Sequence, residues 1–184
     1  KIPKGGKITM EFNEKTTHRE KIYQGQIIDV EVHDVELMNG DTSKRELVFH
    51  NGAVAVCAVT PNNEVVLVKQ FRKPAEKPLL ELPAGKLEKD EDREEAAKRE
   101  LAEETGYQAQ SLEWVTDMYG SPGFSNERLT IYFTDQVEEG DMHPDEDEFL
   151  ELHTFSIDKI REMLQNGEFE DAKTIIGLQH LLLN

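Results

Sequence analysis

One acidic segment bounded by glycines, residues 85–106, constrains the fold of this chain more than any other part of the sequence. It begins at Gly85 and continues through a run rich in Glu, Ala, Arg, Lys and Leu, which are strong helix formers. Asp90 or Asp92 can cap the start of a helix, because a short acidic side chain accepts hydrogen bonds from the first free N–H groups. Gly106 stands where a left-handed C-cap is expected. The segment therefore predicts a glycine loop that leads into one short helix.

Three glutamates of this helix, Glu100, Glu103 and Glu104, are spaced i, i+3 and i+4 and so share one side. Ala97 and Leu101 lie one turn apart and can face a core. Like charges this close repel one another, so a cation is expected between them. Mg²⁺ prefers carboxylate oxygens and is often completed by substrate phosphates, with Mn²⁺ a suitable substitute. The alternative is a charged surface helix in water.

The fixed positions of the segment follow the spacing of a known motif. Gly85 is followed, after five intervening residues, by Glu91, and after seven more by Arg99, Glu100 and an apolar residue. One further residue precedes Glu103 and Glu104, and one more precedes Gly106. This resembles the Nudix box with every fixed position filled, and only Tyr107, where the family usually carries an aliphatic residue, departs from it. The resemblance implies an α/β fold, namely a Nudix α/β/α sandwich with a mixed β-sheet.

The resemblance also implies roles for particular residues. The metal ligands would be Glu100, Glu103, Glu104 and Ala84, whereas Glu91 would be structural. Related pyrophosphatases place the general base and a further metal ligand on a late loop, which here corresponds to the acidic cluster at 145–148. Its spacing before the next strand fits Glu146 as the base and Glu148 as the ligand. Glu103 is the other candidate for the base, and a loop exposed to water is the alternative for the cluster.

The turn-rich loop at 120–127 is similar to the loop that marks the ADP-ribose pyrophosphatase branch of the family. Pro122 follows the box glycine at about the spacing of that branch. By resemblance Gly123, Phe124 and Glu127 would lie along the substrate, with Glu127 accepting ribose hydroxyls. An ordinary surface turn is the alternative.

Further substrate contacts are expected from a few basic and aromatic residues. Arg72 ends a predicted strand beside the glycine loop, where a guanidinium can hold a phosphate, although a surface charge is the alternative. Arg45 resembles an arginine that related enzymes present from the partner subunit, and Glu81 is a further expected contact. Tyr23 can offer an aromatic face to adenine, or it can be an interface or core aromatic.

Net charge and cysteine content narrow the class of partner and the compartment. The net charge of −17 argues against nucleic acid or an anionic membrane as the main partner. It does not exclude an anionic small molecule, because a bound Mg²⁺ reverses the local charge. The single Cys57 lies in an apolar run and is expected in the core, so a reducing, cytoplasmic compartment is expected. We expect no membrane span and no zinc site.

The 184 residues suggest one Nudix hydrolase domain, residues 51–184, preceded by an N-terminal β extension, residues 1–50. Residues 1–9 precede Met10, which can be the natural start, and are expected not to belong to the natural protein. The extension is expected to form a β-hairpin around the Asn39-Gly40 turn. Because apolar residues lie on both of its faces, we expect it to pair with a second chain and form a homodimer.

The remaining elements are expected from alternation, turn residues and caps. The first hairpin is predicted as Tyr23–Leu37 and Arg45–Phe49, and a second as 52–60 and 64–71. Further strands are predicted at 79–82, 111–118, 128–134 and 149–155, and helices at 157–165 and 172–183, capped by Ser156 and Asp171.

Taken together, the sequence predicts a Mg²⁺-dependent Nudix hydrolase that resembles ADP-ribose pyrophosphatases and converts ADP-ribose to AMP and ribose 5-phosphate. One alternative is the same chemistry on another nucleoside diphosphate sugar. A second is a non-catalytic Nudix-fold ligand-binding module, which usually lacks some of the box carboxylates. A third is an acidic interaction or dimerisation module, which would bind no Mg²⁺ or Mn²⁺.

Overall fold

The structure of the protein is a computed structural model that describes residues 12–144 and 149–184. The predicted start at Met10 and the late-loop candidates Glu146 and Glu148 lie outside these ranges. The described residues form twelve strands and three helices: β1 (Lys15–Gln24), β2 (Ile28–Glu36), β3 (Thr42–His50), β4 (Ala53–Ala58), β5 (Glu64–Arg72), β6 (Lys77–Glu81), β7 (Ala84–Lys86), α1 (Arg93–Thr105), β8 (Tyr107–Ala109), β9 (Glu113–Tyr119), β10 (Arg128–Thr134), β11 (Val137–Glu139), β12 (Leu150–Ser156), α2 (Ile157–Gln165) and α3 (Ala172–Leu183). Among them, no helix combines the length and apolar character needed to cross a membrane.

The chain divides into two compact units. Among the described residues, one unit consists of 12–50 together with Gly123–Asn126, and the other of Asn51–Pro122 together with 127–144 and 149–184.

The first unit is an antiparallel sheet with strand order β1-β2-β3. The predicted hairpin is β2–β3, and the predicted turn is present, with Gly40 at φ 85° donating to the Leu37 carbonyl at 2.9 Å. The prediction missed β1 and assigned Tyr23 to the wrong strand: Tyr23 lies in β1. Most of β1 is polar and exposed, so it lacks the alternation that marks a half-buried strand.

The second unit is built on a mixed sheet with strand order β7-β4-β10-β9, in which β4 and β10 run parallel. A three-stranded sheet, β12-β5-β6, and the pair β11-β8 complete it. The predicted hairpin of β4 and β5 is wrong, because these strands belong to different sheets and share only the isolated bridge between Val59 and Val65. All six residues of β4 are buried, which is typical of a strand covered on both faces rather than of a hairpin with one wet face.

Alternate residues of β4 enter two separate apolar cores. Val54 and Val56 pack in a cluster with the α1 residues Ala97 and Leu101. Ala55, Cys57 and Val59 pack in a second cluster that includes Ile160 of α2 and Leu178 of α3. The sheet is therefore layered between α1 on one face and α2 and α3 on the other, which confirms the α/β/α sandwich and the core positions of Ala97, Leu101 and Cys57. Burial raises the pKa of the Cys57 thiol to about 12.

The three helices begin at the predicted caps. Asp92 caps α1 by accepting from the N–H groups of Glu94 and Glu95 at 3.0 and 3.2 Å. Gly106 ends α1 at φ 77°. Ser156 and Asp171 cap α2 and α3, and both helices have the predicted bounds.

Candidate functional site

The carboxylate of Glu104 fixes β7, the short strand before α1, to the last turn of that helix. The sequence predicted a glycine loop here, but Gly85 lies within β7, which pairs with β4. Its side chain is buried, with 2% of the residue exposed, and its Oε2 accepts a hydrogen bond from the backbone N–H of Ala84 at 2.9 Å. Ala84 begins β7, which pairs with the central strand β4. A buried carboxylate needs such donors, because an unpaired charge in the interior costs on the order of several kcal/mol. Glu104 thus holds Ala84 beside the last turn of α1.

Glu100 lies against the backbone of Gly85. A Cβ added at Gly85 would lie 1.8 Å from Glu100 Cδ and 2.0 and 2.1 Å from its two carboxylate oxygens. No side chain can occupy that space unless the carboxylate moves. The position of Glu100 therefore requires glycine at position 85.

Arg99 links three carboxylates of the segment. Its Nη1 donates to Glu100 Oε1 and to Glu103 Oε2, each at 2.9 Å. Its Nε and Nη2 donate to Glu91 at 2.9 and 3.0 Å, and this hydrogen bonding lowers the pKa of Glu91. The same contacts raise the pKa of Arg99, which stays charged. Glu91 also accepts from the backbone N–H of Glu88, which agrees with a structural role.

The donor atoms of this site suit a hard divalent cation. Glu100 and Glu104 supply carboxylate oxygens next to the backbone of β7, and Glu103 shares the contact with Arg99. Mg²⁺ and Mn²⁺ prefer such oxygen ligands. Across residues 12–144 and 149–184, no three His, Cys, Asp or Glu side chains are grouped as a ready metal-ligand set. Here the guanidinium of Arg99 supplies the positive charge between Glu100 and Glu103.

A second charged cluster lies where β5 and β6 meet α3. Arg72 forms a two-pronged pair with Glu81, with Nε–Oε1 and Nη2–Oε2 both at 2.7 Å. Lys173 also donates to Glu81 Oε2, and its Nζ lies 3.0 Å from Asp171 Oδ2. Burial alone would raise the pKa of Glu81, but Arg72 and Lys173 outweigh burial and lower it.

Sequence reasoning did not identify Lys173 as a member of this cluster. Only 8% of the residue is exposed, although it is a lysine. The sequence does contain a signal: apart from His180, Lys173 is the single basic residue in the mostly apolar stretch Ala172–Leu183. Buried lysines are rare unless they are paired.

The remaining candidates are distributed over the two units. In the first unit, Arg45 forms a two-pronged pair with Glu14 at 2.8 and 2.5 Å, and the side chain of Tyr23 is 56% exposed. Gly123 and Phe124 belong to the same unit, where the Phe124 carbonyl accepts from the N–H of β3 residue Val48 at 2.8 Å. The second unit contains two further candidates, Pro122 and Glu127.

Comparisons with known proteins agree with this geometry. The NUDIX domain family model matches residues 49–176. The chain is 46% identical to an ADP-ribose pyrophosphatase from Bacillus subtilis (strain 168) over 174 residues, 94% of each chain. It is 45% identical, with the same coverage, to a protein from Bacillus methanolicus named methanol dehydrogenase activator. A crystal structure of an ADP compounds hydrolase superposes with a TM-score of 0.78 over 92% of this chain and 94% of that chain, and its 22% identity bears on the fold alone.

Proposed function

Because this chain belongs to the NUDIX domain family, we propose that it hydrolyses the pyrophosphate bond of ADP-ribose to give AMP and ribose 5-phosphate. The observation that carries the proposal is the packing of β7, which contains Gly85, against the acidic helix α1. Glu104 accepts a hydrogen bond from Ala84, and Glu100 lies against Gly85, so these two box carboxylates face the backbone of β7. The 46% identity to an ADP-ribose pyrophosphatase supports the substrate.

We expect a divalent cation, Mg²⁺ with Mn²⁺ as a substitute, to be held by Glu100, Glu103 and Glu104. The carbonyl of Ala84 and the late-loop residue Glu148 would complete the protein ligands. When bound, the cation would offset the charge of the two phosphates and lower the pKa of a bound water. Arg99 would then hold the carboxylates of the helix in position through its contacts with Glu100 and Glu103.

The side chains of this chain would carry out binding and proton transfer. The Nη1 of Arg72 makes no hydrogen bond to any described residue, so it can donate to a phosphate oxygen while Glu81 fixes the guanidinium. Glu146, or alternatively Glu103, would accept a proton from water as the water oxygen attacks phosphorus. The bond from that phosphorus to the bridging oxygen breaks, and this oxygen leaves on the second phosphate.

We propose that the protein works in the cytoplasm as a homodimer in which the N-terminal extension of one subunit reaches the site of the other. The outer edge of β1 has no partner strand among the described residues, and Ile22, Tyr23 and Ile27 are each more than half exposed. Arg45 and Tyr23 would then serve the partner's substrate. Light scattering of the full chain tests the dimer, and a monomer at micromolar concentration would contradict it.

A substrate panel tests the proposed reaction. Purified protein with Mg²⁺ is given ADP-ribose, other nucleoside diphosphate sugars and nucleoside triphosphates, and the products are identified by mass spectrometry. Formation of AMP and ribose 5-phosphate at the highest kcat/KM is expected. A higher kcat/KM for another nucleoside diphosphate sugar would transfer the proposal to that compound, and no hydrolysis of any compound would refute it.

A second candidate function follows from the Bacillus methanolicus relative, whose name describes activation of methanol dehydrogenase. This chain would then act on a dehydrogenase as well as on a nucleotide. The test measures methanol oxidation by a purified methanol dehydrogenase with and without this protein. A matched Glu104→Gln variant separates activation that needs hydrolysis from activation by binding alone.

A further inference from the structure

Lys173 occupies a position that is unfavourable for a lysine in two respects. It lies in the first turn of α3, where the helix dipole presents its positive end. Its side chain is only 10% exposed, and removing an ammonium group from water is costly. Its contacts with Glu81 and Asp171 compensate for this cost, but a well-packed apolar residue often gives equal or greater stability than a buried ion pair. Stability alone therefore does not account for a lysine at this position.

The charges of this cluster alternate along a line of contacts: Arg72, Glu81, Lys173 and Asp171. Glu81 is 1% exposed, and its Oε2 accepts from both Arg72 and Lys173. One negative charge is thus shared by two cations. Without Lys173, Arg72 and Glu81 would form a neutral pair.

Arg72 is the member of the cluster that an anion can reach. Its side chain is 40% exposed, compared with 1% for Glu81, 10% for Lys173 and 19% for Asp171. Asp171, which balances Lys173, contacts Lys173 and lies at the opposite end of the line from Arg72. The four charges sum to zero, and Asp171 and Glu104 also attract Arg72, but the end of the line that is exposed to an anion is the positive guanidinium.

We propose that Lys173 is a positioning residue for the pyrophosphate group: by sharing Glu81 with Arg72, it leaves the guanidinium fixed in place but not neutralised. This inference rests on the proposed function, because it takes a phosphate of the substrate as the partner of Arg72. Glu81 fixes the orientation of the guanidinium. Lys173 offsets part of the negative charge with which Glu81 would otherwise neutralise Arg72.

The inference predicts how affinity changes with charge. Calorimetric titrations with inorganic pyrophosphate and with ADP-ribose, in excess Mg²⁺, are made on the full chain and its variants. Lys173→Met should raise Kd for both probes by roughly tenfold, from the loss of one partly buried charge near the anion. Lys173→Arg should stay near the wild type, and Lys173→Gln, which keeps a donor to Glu81 without the charge, should behave like Lys173→Met.

Two further variants separate this role from support of the fold. Asp171→Asn keeps the helix cap but removes the distal negative charge, so it should tighten binding, which damage to the fold cannot do. Lys77→Met removes one lysine charge from an exposed pair with Glu170 and should leave Kd unchanged. Unfolding in urea measures the stability of every variant, so a loss of affinity can be compared with a loss of fold.

A double-mutant cycle with Arg72→Ala gives the decisive result. If Lys173 acts through Arg72, Lys173→Met should add little to the loss already caused by Arg72→Ala. In steady-state hydrolysis, Lys173→Met should raise KM more than it lowers kcat. Additive losses in the cycle, normal affinity of Lys173→Gln, or weaker binding by Asp171→Asn would each overturn the inference.

The failure of the proposed function is distinguishable from the failure of this inference. A wild-type protein that binds both probes but forms no AMP would refute the reaction, and the binding cycle would still test Lys173. A wild-type protein that binds neither probe would overturn the inference itself.

Discussion

Replacing Gly85 by alanine should separate activity from stability, because the new methyl group would occupy the place of the Glu100 carboxylate. The added Cβ would lie 1.8 Å from Glu100 Cδ. Ordinary contacts between such atoms are about 3.5 Å or more, so the carboxylate must move by roughly 1.5 Å or more. A shift of about 1 Å in a catalytic group can cost on the order of a hundredfold in rate. We therefore expect Gly85→Ala to lower kcat/KM for ADP-ribose by at least about a hundredfold.

The same change should have only a modest effect on the free energy of unfolding. The Glu100 carboxylate is at the end of a flexible side chain and can move to another rotamer, at a cost of order 0.5–1.5 kcal/mol. The assay compares kcat/KM from product formation with urea unfolding of the same samples. Gly167→Ala is the control, since a Cβ there meets nothing within 4 Å but the φ of 70° is unfavourable for alanine. It should lose about 1 kcal/mol of stability with no loss of activity.

The cause of the loss can be checked in a second background. If the methyl group acts by displacing Glu100, Gly85→Ala should cost little more once Glu100 has been replaced by alanine. A Gly85→Ala protein with near-normal kcat/KM and normal metal dependence would refute the reasoning, because it would mean that the position of Glu100 does not matter for hydrolysis.

Three further predictions concern the box helix and the late loop. Glu104→Gln should lower kcat by orders of magnitude with a small change in melting temperature, and near-normal metal-dependent hydrolysis would show that Glu104 is not a ligand. Glu146→Gln should lower kcat with KM nearly unchanged, and full turnover would leave Glu103 as the remaining candidate for the base. Asp92→Ala should cost about 1 kcal/mol in urea unfolding by removing the cap of α1, and an unchanged midpoint would contradict the capping role.

The parts of the structure that sequence predicted correctly depend on short spacings. The caps of α1, α2 and α3 each rest on a side chain that bonds to a backbone N–H two or three residues away. The contact of Arg99 with Glu103 is equally local, because an i, i+4 spacing places two side chains on one face of a helix. Such interactions are fixed once the helix forms, so residue type and spacing were enough to predict them.

The parts that sequence reasoning missed depend on contacts between distant residues. β4 and β5 are neighbours in the chain and were predicted to pair, but β4 takes β10 as its parallel partner, about seventy residues later. Lys173 meets Glu81 across a separation of 92 residues. Local patterns carry no information on which distant segment a buried strand or lysine will contact. For that reason the Arg72 cluster could be seen only as an isolated arginine.

The two charged clusters explain why a chain with a net charge of −17 can bind an anionic substrate. In the box, Arg99 is held among Glu91, Glu100 and Glu103, so its charge serves to fix carboxylates rather than to attract phosphate. At the β5–β6 edge, the arrangement is reversed, because one buried carboxylate, Glu81, is shared by two cations. In the proposed function, the first cluster would provide oxygen ligands for a metal, and the second would provide an exposed guanidinium for a phosphate. Local arrangement of a few charges, rather than the net charge of the chain, therefore decides what this site can bind.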